Sequence, residues 1–397
     1  MQNKRILIGS LILLTIGGMV IFQNWQTKKD SLIKIVSSEP MRGVGQGMIN
    51  GSLLALEEVG YKAGKFNIDF IPLDDGDEKG AWKPELEKKN AEQAIADPDV
   101  MVYMGTYNSG AAKISIPITN RAGLAQVSPG NAWPGLTKSG YTPGEPGIFY
   151  PTGKRTYFRN CPDDSTQGPA GAVWAKQLGI KTVYIVDDSD TYGEGVTFIF
   201  KTKATELGLK ILAHKSIKAD NLIGISSIVD DIKKQKPDLV YVGAVTTSGV
   251  IPFVINLREK GVTSKIMGPD GFMEKAFING VGKDKAEGIY VTSAGLPPEQ
   301  MDGKGKTFYD AYKKRFGSAP DIYAAYSYEA IQVILTAVER AGVKDRTKIV
   351  EELSKTQNFS GLFGTWGFDE NGDTTLISAA GNIIENGEFK FISLINH

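Results

Sequence analysis

Cysteine and histidine are nearly missing from this chain of 397 residues, which holds one cysteine, Cys161, and two histidines, His214 and His397. A lone cysteine makes no intramolecular disulfide, no cysteine-based zinc site and no iron–sulfur cluster. Two histidines leave little for imidazole catalysis or metal binding. Net charge is missing as well. Lys plus Arg and Asp plus Glu both number 45, so there is no basic footprint for nucleic acid. No short repeat or low-complexity block occurs, which argues against a solenoid. The compact signatures of catalysis are also absent: no GxxxxGK[ST] phosphate loop, no HExxH and no GxSxG nucleophile elbow. The remaining composition, 41% hydrophobic and 23% charged, excludes disorder, collagen and coiled coil as whole-chain descriptions. The length suits two or three domains. Composition therefore leans away from an enzyme, and no cofactor or metal is expected.

The first long apolar run is terminal. Lys4 and Arg5 precede Ile6 to Phe22, a stretch of 17 residues. A basic flank before such a run marks an export signal or a membrane anchor. No small-x-small cleavage site follows it, Trp25 suits a membrane interface, and no cysteine stands there for lipid attachment. Those features favour an uncleaved anchor, with everything after Lys29 outside the cytoplasm. Residues 1–30 hold four of the 45 basic and one of the 45 acidic residues, leaving 41 against 44 in the exported part.

Beyond residue 30, β-like and α-like segments alternate. Leu32–Val36, Phe66–Leu73, Val100–Met104 and Leu124–Val127 read as strands, separated by helices at Met48–Val59, Glu85–Ala96 and Gly110–Arg121. After a Gly/Pro-rich stretch at 129–151 the alternation resumes through Thr182–Val186, Lys210–His214, Leu239–Val242, Lys265–Met267 and Gly288–Thr292. Three successive helices follow, and Tyr326, Ala330, Val333, Ala337 and Ala341 form one stripe along the second. Phe363–Phe368 and Phe389–Leu394 close the chain as strands. Repeated β-then-α units imply parallel sheets with helices on both faces. Two runs of them imply two α/β lobes. Ligands of such sheets bind beyond the carboxyl ends of the strands, so two facing lobes make one cleft that closes by hinge motion.

Most polar clusters have plain readings. Gly43-Val44-Gly45-Gln46-Gly47 suits a strand-to-helix turn. Asp74-Asp75-Gly76-Asp77-Glu78 reads as a solvated turn, lacking the full calcium-loop pattern. Asp369–Asp373 reads as an Asn-Gly turn, and His214 as a surface or satisfied histidine. One constellation suggests a ligand. Val100–Met104 runs into Gly105-Thr106-Tyr107-Asn108-Ser109-Gly110, where free N–H groups at a helix start attract an anion. Asn108 or Ser109 is otherwise a simple N-cap. The loop Ser128-Pro129-Gly130-Asn131-Ala132 follows the neighbouring strand. Met267-Gly268-Pro269-Asp270-Gly271 places a carboxylate after a strand of the other lobe, where it is either a turn residue or a partner for a ligand ammonium. An anion site opposed by a carboxylate is what an α-amino acid zwitterion needs.

These motifs resemble the branched-chain amino acid substrate-binding proteins of ABC transporters. The resemblance runs through Val36-Ser37-Ser38, Ala96-Asp97-Pro98-Asp99-Val100, Tyr107–Ala112 with Ile116-Pro117, Tyr150–Arg155, Gln167-Gly168, Asp188 with Tyr192–Gly195, Met267–Gly271 and Phe368–Asp373, over residues 32–395. It implies the type I periplasmic-binding-protein fold: α/β, two doubly wound parallel-sheet lobes joined by three crossover strands, here preceded by an N-terminal hydrophobic helix. It implies lobe I at 31–158 plus 294–364 and lobe II at 159–293 plus 365–397, after a targeting segment at 1–30. It also implies that Asn108, Ser109, Gly110, Gly130 and Asn131 receive the ligand carboxylate and Asp270 the ammonium. Tyr192, Thr166, Val245, Thr246 and Arg42 then line the cleft. Three residues depart from the family pattern: Val245 replaces a frequent aromatic, Arg42 stands where an apolar wall is common, and Asn131 where a small residue is usual. These departures bear on selectivity for leucine, isoleucine and valine, and Arg42 would suit an acidic ligand. The implied partners are an amino acid and the ABC permease subunits, and the implied state is a monomer. A sensor reporting to a signalling partner is the alternative.

Overall fold

The computed structural model describes residues 31–396. The expected N-terminal hydrophobic helix lies outside them, as does His397. Among the described residues no helix is long and apolar enough to cross a membrane.

Two sheets organise the chain. The first has the order β2-β3-β1-β4-β5-β6, from β1 (Leu32–Glu39), β2 (Lys62–Ala63), β3 (Phe66–Asp74), β4 (Val100–Gly105), β5 (Ala125–Ser128) and β6 (Tyr157–Arg159). At its centre β1 runs parallel to β3 and β4, with Ile33 opposite Ile68 and Ile35 opposite Val102. Its apolar residues are buried on both faces, as a central parallel strand requires. Helices α1 (Val44–Glu58), α2 (Pro84–Ala96) and α3 (Ser109–Arg121) connect these strands.

The second sheet has the order β15-β14-β11-β10-β9-β7-β8. It comprises β7 (Thr182–Asp187), β8 (Lys210–Ser216), β9 (Leu239–Gly243), β10 (Lys265–Gly268), β11 (Tyr290–Ala294), β14 (Ala379–Glu385) and β15 (Glu388–Leu394). Helices α4 (Asp164–Gln177), α5 (Thr191–Glu206), α6 (Leu222–Gln235) and α7 (Ile251–Glu259) cover it. Val186, Val240, Val242 and Phe253 fill the core on one side, and Trp174, Val183, Ile185 and Phe200 the core on the other. Each such side chain contributes about 1.5–3 kcal/mol by burial.

The expected parallel lobes hold at the sheet centres, but the edges are antiparallel. The β2–β3, β11–β14 and β14–β15 pairs all run antiparallel. Strand β14 was absent from the sequence reading because Ala379-Ala380-Gly381-Asn382 lacks β-branched residues. Gly381 is small for a reason: a Cβ there would lie 2.9 Å from the Trp174 ring. The hairpin closes through Asn386 and Gly387 at φ 55° and 75°, the left-handed pair that a tight two-residue turn favours.

The C-terminal helices α8 (Gly303–Phe316), α9 (Ile322–Ala341) and α10 (Arg346–Ser354) return to the first sheet. Phe308, Ile331, Ile334, Val338, Ile349 and Leu353 share a core with Ile33, Ile35, Val102 and Val127. Asp321 caps α9, its Oδ1 accepting the Ala324 amide at 2.8 Å. Along α1, Gly47 and Gly51 lie one turn apart and let α9 approach: a Cβ on Gly51 would sit 2.1 Å from the Ala324 carbonyl oxygen. A two-stranded ribbon, β12 (Phe359–Ser360) with β13 (Thr365–Trp366), follows.

The sheets are joined after β6, after β11 and before β14. A buried charge network pins the first and third of these passages. Arg159 is fully buried, with Nε 2.7 Å from Asp373 and Nη2 3.2 Å from Asp163. Lys138 reaches the same two carboxylates at 3.2 and 2.7 Å.

The solvated-turn reading of Asp74–Glu78 holds at Asp74 and Glu78, which are exposed, and is corrected at Asp75. Asp74 Oδ1 accepts the Met41 and Gly76 amides, Asp77 Oδ1 accepts those of Lys79 and Ala81, and Asp75 is fully buried. The loop packs its centre against Pro40 while Asp74 and Glu78 stay exposed, and burial with Asp74 nearby pushes the Asp75 carboxyl up to about 7. His214 is satisfied as expected, its Nε2 standing 2.7 Å from Asp187 Oδ2.

Candidate functional site: the floor of the interlobe cleft

The carboxyl ends of β4 and β5 in the first sheet face those of β7, β9 and β10 in the second. From β4 the chain turns directly into α3, so Asn108 and Ser109 stand at its first turn, where backbone N–H groups lack intrahelical partners. The Asn108 side chain makes no capping bond, and its buried Oδ1 has no hydrogen-bond partner. Ser109 Oγ accepts the Ala132 and Trp133 amides at 3.3 and 3.2 Å. Its lone pairs are thus engaged and its hydroxyl proton is left to donate.

The neighbouring loop is braced from within. Ser128 Oγ accepts the Gly130 and Asn131 amides at 3.1 and 2.9 Å. The Asn131 side chain donates to Thr106 Oγ1 and the Tyr107 carbonyl, and accepts from the Tyr157 hydroxyl at 2.9 Å. Asn131 therefore spends its amide on holding the β4 and β5 loops together. Gly110 is small because Trp82 and Asp190 crowd it: a Cβ would lie 2.5 Å from the Trp82 ring and 2.8 Å from Asp190 Oδ1.

On the second lobe, Asp270 follows β10 and is buried. Its Oδ1 accepts the Tyr192 hydroxyl at 3.0 Å and its Oδ2 the Ala294 amide at 3.2 Å. Burial raises its pKa, and these two donors oppose the rise. Tyr192 in turn accepts the Gly271 amide at 3.2 Å, which fixes the ring beside the carboxylate. Thr166 is buried near the start of α4. Val245 begins the turn after β9, its amide donating to Asp188 Oδ2 at 3.2 Å.

The lobes touch across the cleft. Trp82 Nε1 donates to Asp190 Oδ2 at 2.7 Å, and the Tyr107 hydroxyl to the Gly271 carbonyl at 3.5 Å. Behind this contact, within the first lobe, Tyr107 and Tyr323 meet edge to face, 4.9 Å apart. A cavity of about 140 Å³ remains between the lobes and brings together Arg42, Asn108, Val245 and Thr246 with Tyr107 and Glu274. Arg42 is exposed at its rim. Ser109, Gly110, Gly130, Asn131, Thr166, Tyr192 and Asp270 do not line this cavity. A larger space of about 610 Å³ shares Gly43, Val44 and Glu274 with it and reaches Tyr309 and Asp321. Burial pushes the Glu274 carboxyl up to about 7, and Asp321 adds to the rise.

The sequence reading missed three groups here. Glu274 and the Trp82–Asp190 contact join residues with no local signal. Asp164 had one: two aspartates open α4, and a helix start needs a single cap. Asp163 is that cap, which leaves Asp164 without a local task. Among the described residues no group of three or more His, Cys, Asp or Glu side chains is placed to hold a metal ion.

Two α/β lobes joined by three passages, meeting on a buried polar floor, define a solute-binding protein of the two-lobed type. The model of the periplasmic binding protein family matches residues 35–380, and the chain belongs to that family. It is 27% identical over 351 residues to a leucine-, isoleucine-, valine-, threonine- and alanine-binding protein of Pseudomonas aeruginosa, covering 86% of this chain and 87% of that one. The leucine-binding protein LivK of Thermotoga maritima superposes with a TM-score of 0.80 at 28% identity, over 92% of this chain and 99% of that one. A solute-binding protein of Rhodopseudomonas palustris in complex with 3,4-dihydroxybenzoic acid shares the fold, with a TM-score of 0.76 at 21% identity over 92% and 98% of the two chains.

Proposed function

We propose that this chain is the extracytoplasmic solute-binding component of an ABC importer, tethered by residues 6–22, which traps an amino acid and delivers it to a membrane permease. The observation that carries this reading is the start of α3, with the Ser109 hydroxyl free to donate, set in one lobe while the buried Asp270 stands in the other. The first takes a carboxylate and the second an ammonium, so a zwitterion bridges the lobes and favours their closure. The bodies that swing are residues 31–158 with 294–364 and 159–293 with 365–397. Gly110, Gly130 and Asn131 shape the anion end; Tyr192, Thr166, Val245, Thr246 and Arg42 bound the side chain. Leucine, isoleucine and valine binding by similar proteins supports an aliphatic amino acid as the solute.

The test is calorimetry on the full chain with the proteinogenic amino acids, for the parent and Asp270→Asn. Leaving the ammonium without its carboxylate costs about 2–5 kcal/mol, a loss of tens- to thousands-fold in affinity at about 1.4 kcal/mol per decade. Unchanged affinity in Asp270→Asn overturns the assignment of the ammonium end. Binding of none of the amino acids overturns the reading as a whole.

A further inference from the structure

The small cavity between the lobes is lined with acceptors that lack donors. Asn108 of the first lobe and Thr246 of the second both face this space of about 140 Å³ and are only 5% and 7% exposed. Neither Asn108 Oδ1 nor Thr246 Oγ1 has a hydrogen-bond partner. Glu274 lines the cavity as well, half-buried, with Thr246 beside its carboxylate. The Gly43 turn of the first lobe closes on it: a Cβ on Gly43 would sit 3.1 Å from Glu274 Oε2. Arg42 and Lys79 stand at the exposed rim, and neither forms an ion pair with Glu274.

A leucine side chain seated here would leave all three groups dry and unpaired, which is costly for a neutral acceptor and more so for a carboxylate. An acidic side chain would set a second negative charge beside Glu274. An ammonium answers every group, because it carries three N–H donors and one positive charge in a small volume. Burial and Asp321 push the Glu274 carboxyl up to about 7, and a cation at the cavity opposes that push. There is room for a long stem too. The cavity shares Gly43, Val44 and Glu274 with the space of about 610 Å³, where Glu299, Asp321 and Glu388 outnumber Lys275 and Lys390.

We propose that Glu274, with Asn108 and Thr246, forms a subsite for a cationic side chain, so that the solute this chain prefers is a basic amino acid. The inference rests on the amino-acid reading above and replaces the aliphatic side chain considered there with one that ends in a positive donor. Glu274 then sets specificity, while the groups that hold the backbone of the amino acid stay as assigned.

The experiment is titration calorimetry on the full chain with L-lysine and with L-norleucine, which is lysine without its side-chain amine. Parent and Glu274→Gln are compared; the variant keeps the size of the side chain and removes its charge. The parent is expected to bind lysine at least tenfold more tightly than norleucine, and Glu274→Gln to lower that ratio at least fivefold. A packing role for Glu274 would weaken both amino acids alike and leave the ratio where it was. A ratio below ten in the parent overturns the inference, and so does a smaller fall in the variant. Should Glu274→Gln not fold, the ratio in the parent decides. If the parent binds leucine or norleucine and not lysine, the amino-acid reading stands and the basic side chain falls; if it binds no amino acid, both fall.

Discussion

Two buried charged regions lie side by side in this protein, and they are built on opposite rules. Beneath the cleft, Arg159, Lys138, Asp163 and Asp373 balance two cations with two anions, and the contacts within the set run from 2.7 to 3.2 Å. On the cleft floor and walls, Asp188, Asp270 and Glu274 have hydroxyls and amides nearby, Asp164 has no hydrogen-bond partner, and none of the four has an ion-pair partner among the described residues. The first region ties the passages that must stay in register whatever the lobes do. On the function proposed above, the second is where the ligand arrives. Charge is neutralised internally at the passages and left open at the proposed site.

The largest expected effect tests the closed network. In Arg159→Met the stem volume is kept and the guanidinium removed, leaving Asp163 and Asp373 with Lys138 alone. Breaking a buried pair from one side costs about 3–5 kcal/mol, and in a chain whose total stability is of order 5–15 kcal/mol that is a large fraction. Denaturant unfolding should show the loss whether or not an amino acid is present. A loss below about 1 kcal/mol would mean that the passages are held by their backbone pairing instead.

Acid titration sets buried carboxylates that lack a cation, inside and outside the cleft, against carboxylates paired with one. Burial lifts Asp188 to about 7, Asp75 to about 7, Glu274 to about 7 and Asp321 to about 6. Unfolded, all four titrate near 4. Between about pH 4 and 7 the folded chain therefore holds more protons than the unfolded one, so stability falls as pH rises through that window. Asp163 behaves oppositely: burial raises its pKa, but Arg159 and Lys138 outweigh that and hold it below the usual range. Asp77, bonded to Lys83, is held down at about 2. The stability these two contribute is complete above about pH 4 and lost below it. Unliganded, the protein should melt highest near pH 4–5 and several degrees lower at pH 8. A maximum at pH 7–8 would break the contrast between the two sets. Asp188→Asn should flatten the alkaline side of the curve.

The same contrast explains what could be read from the sequence. The α/β alternation was legible because apolar strands and capped helices are local patterns. The loops carrying Ser109 and Asp270 were legible because parallel sheets place ligands at strand carboxyl ends. Strand β14 was not, since its Ala-Ala-Gly-Asn start lacks β-branched residues and Gly381 is kept small by the Trp174 ring beside it. Asp75 looked like a turn residue because nothing local records that it is buried. Asp163 and Asp164 are chemically identical, and only the positions of Arg159 and Lys138 give one of them partners and leave the other without. Charge pairing over more than a hundred residues, as between Arg159 and Asp373, leaves no trace in a single sequence.

The smallest expected effect concerns the contact that holds the lobes together without touching the floor. Trp82 donates to Asp190, which also caps α5 through the Thr191 amide, so the bond joins the loop after β3 to a helix start of the other lobe. Trp82→Phe keeps an aromatic ring over Gly110 and removes the donor. A part-buried hydrogen bond of this kind is worth about 1 kcal/mol net. Because the bond forms only when the lobes meet, its loss lowers the closed population, and apparent affinity falls in proportion to that population. Amino-acid affinity should drop roughly fivefold at about 1.4 kcal/mol per decade, through faster release, with the denaturant midpoint of the unliganded chain unchanged. If the midpoint falls while affinity holds, Trp82 acts as packing for its own lobe, and closure is driven by the cleft floor alone.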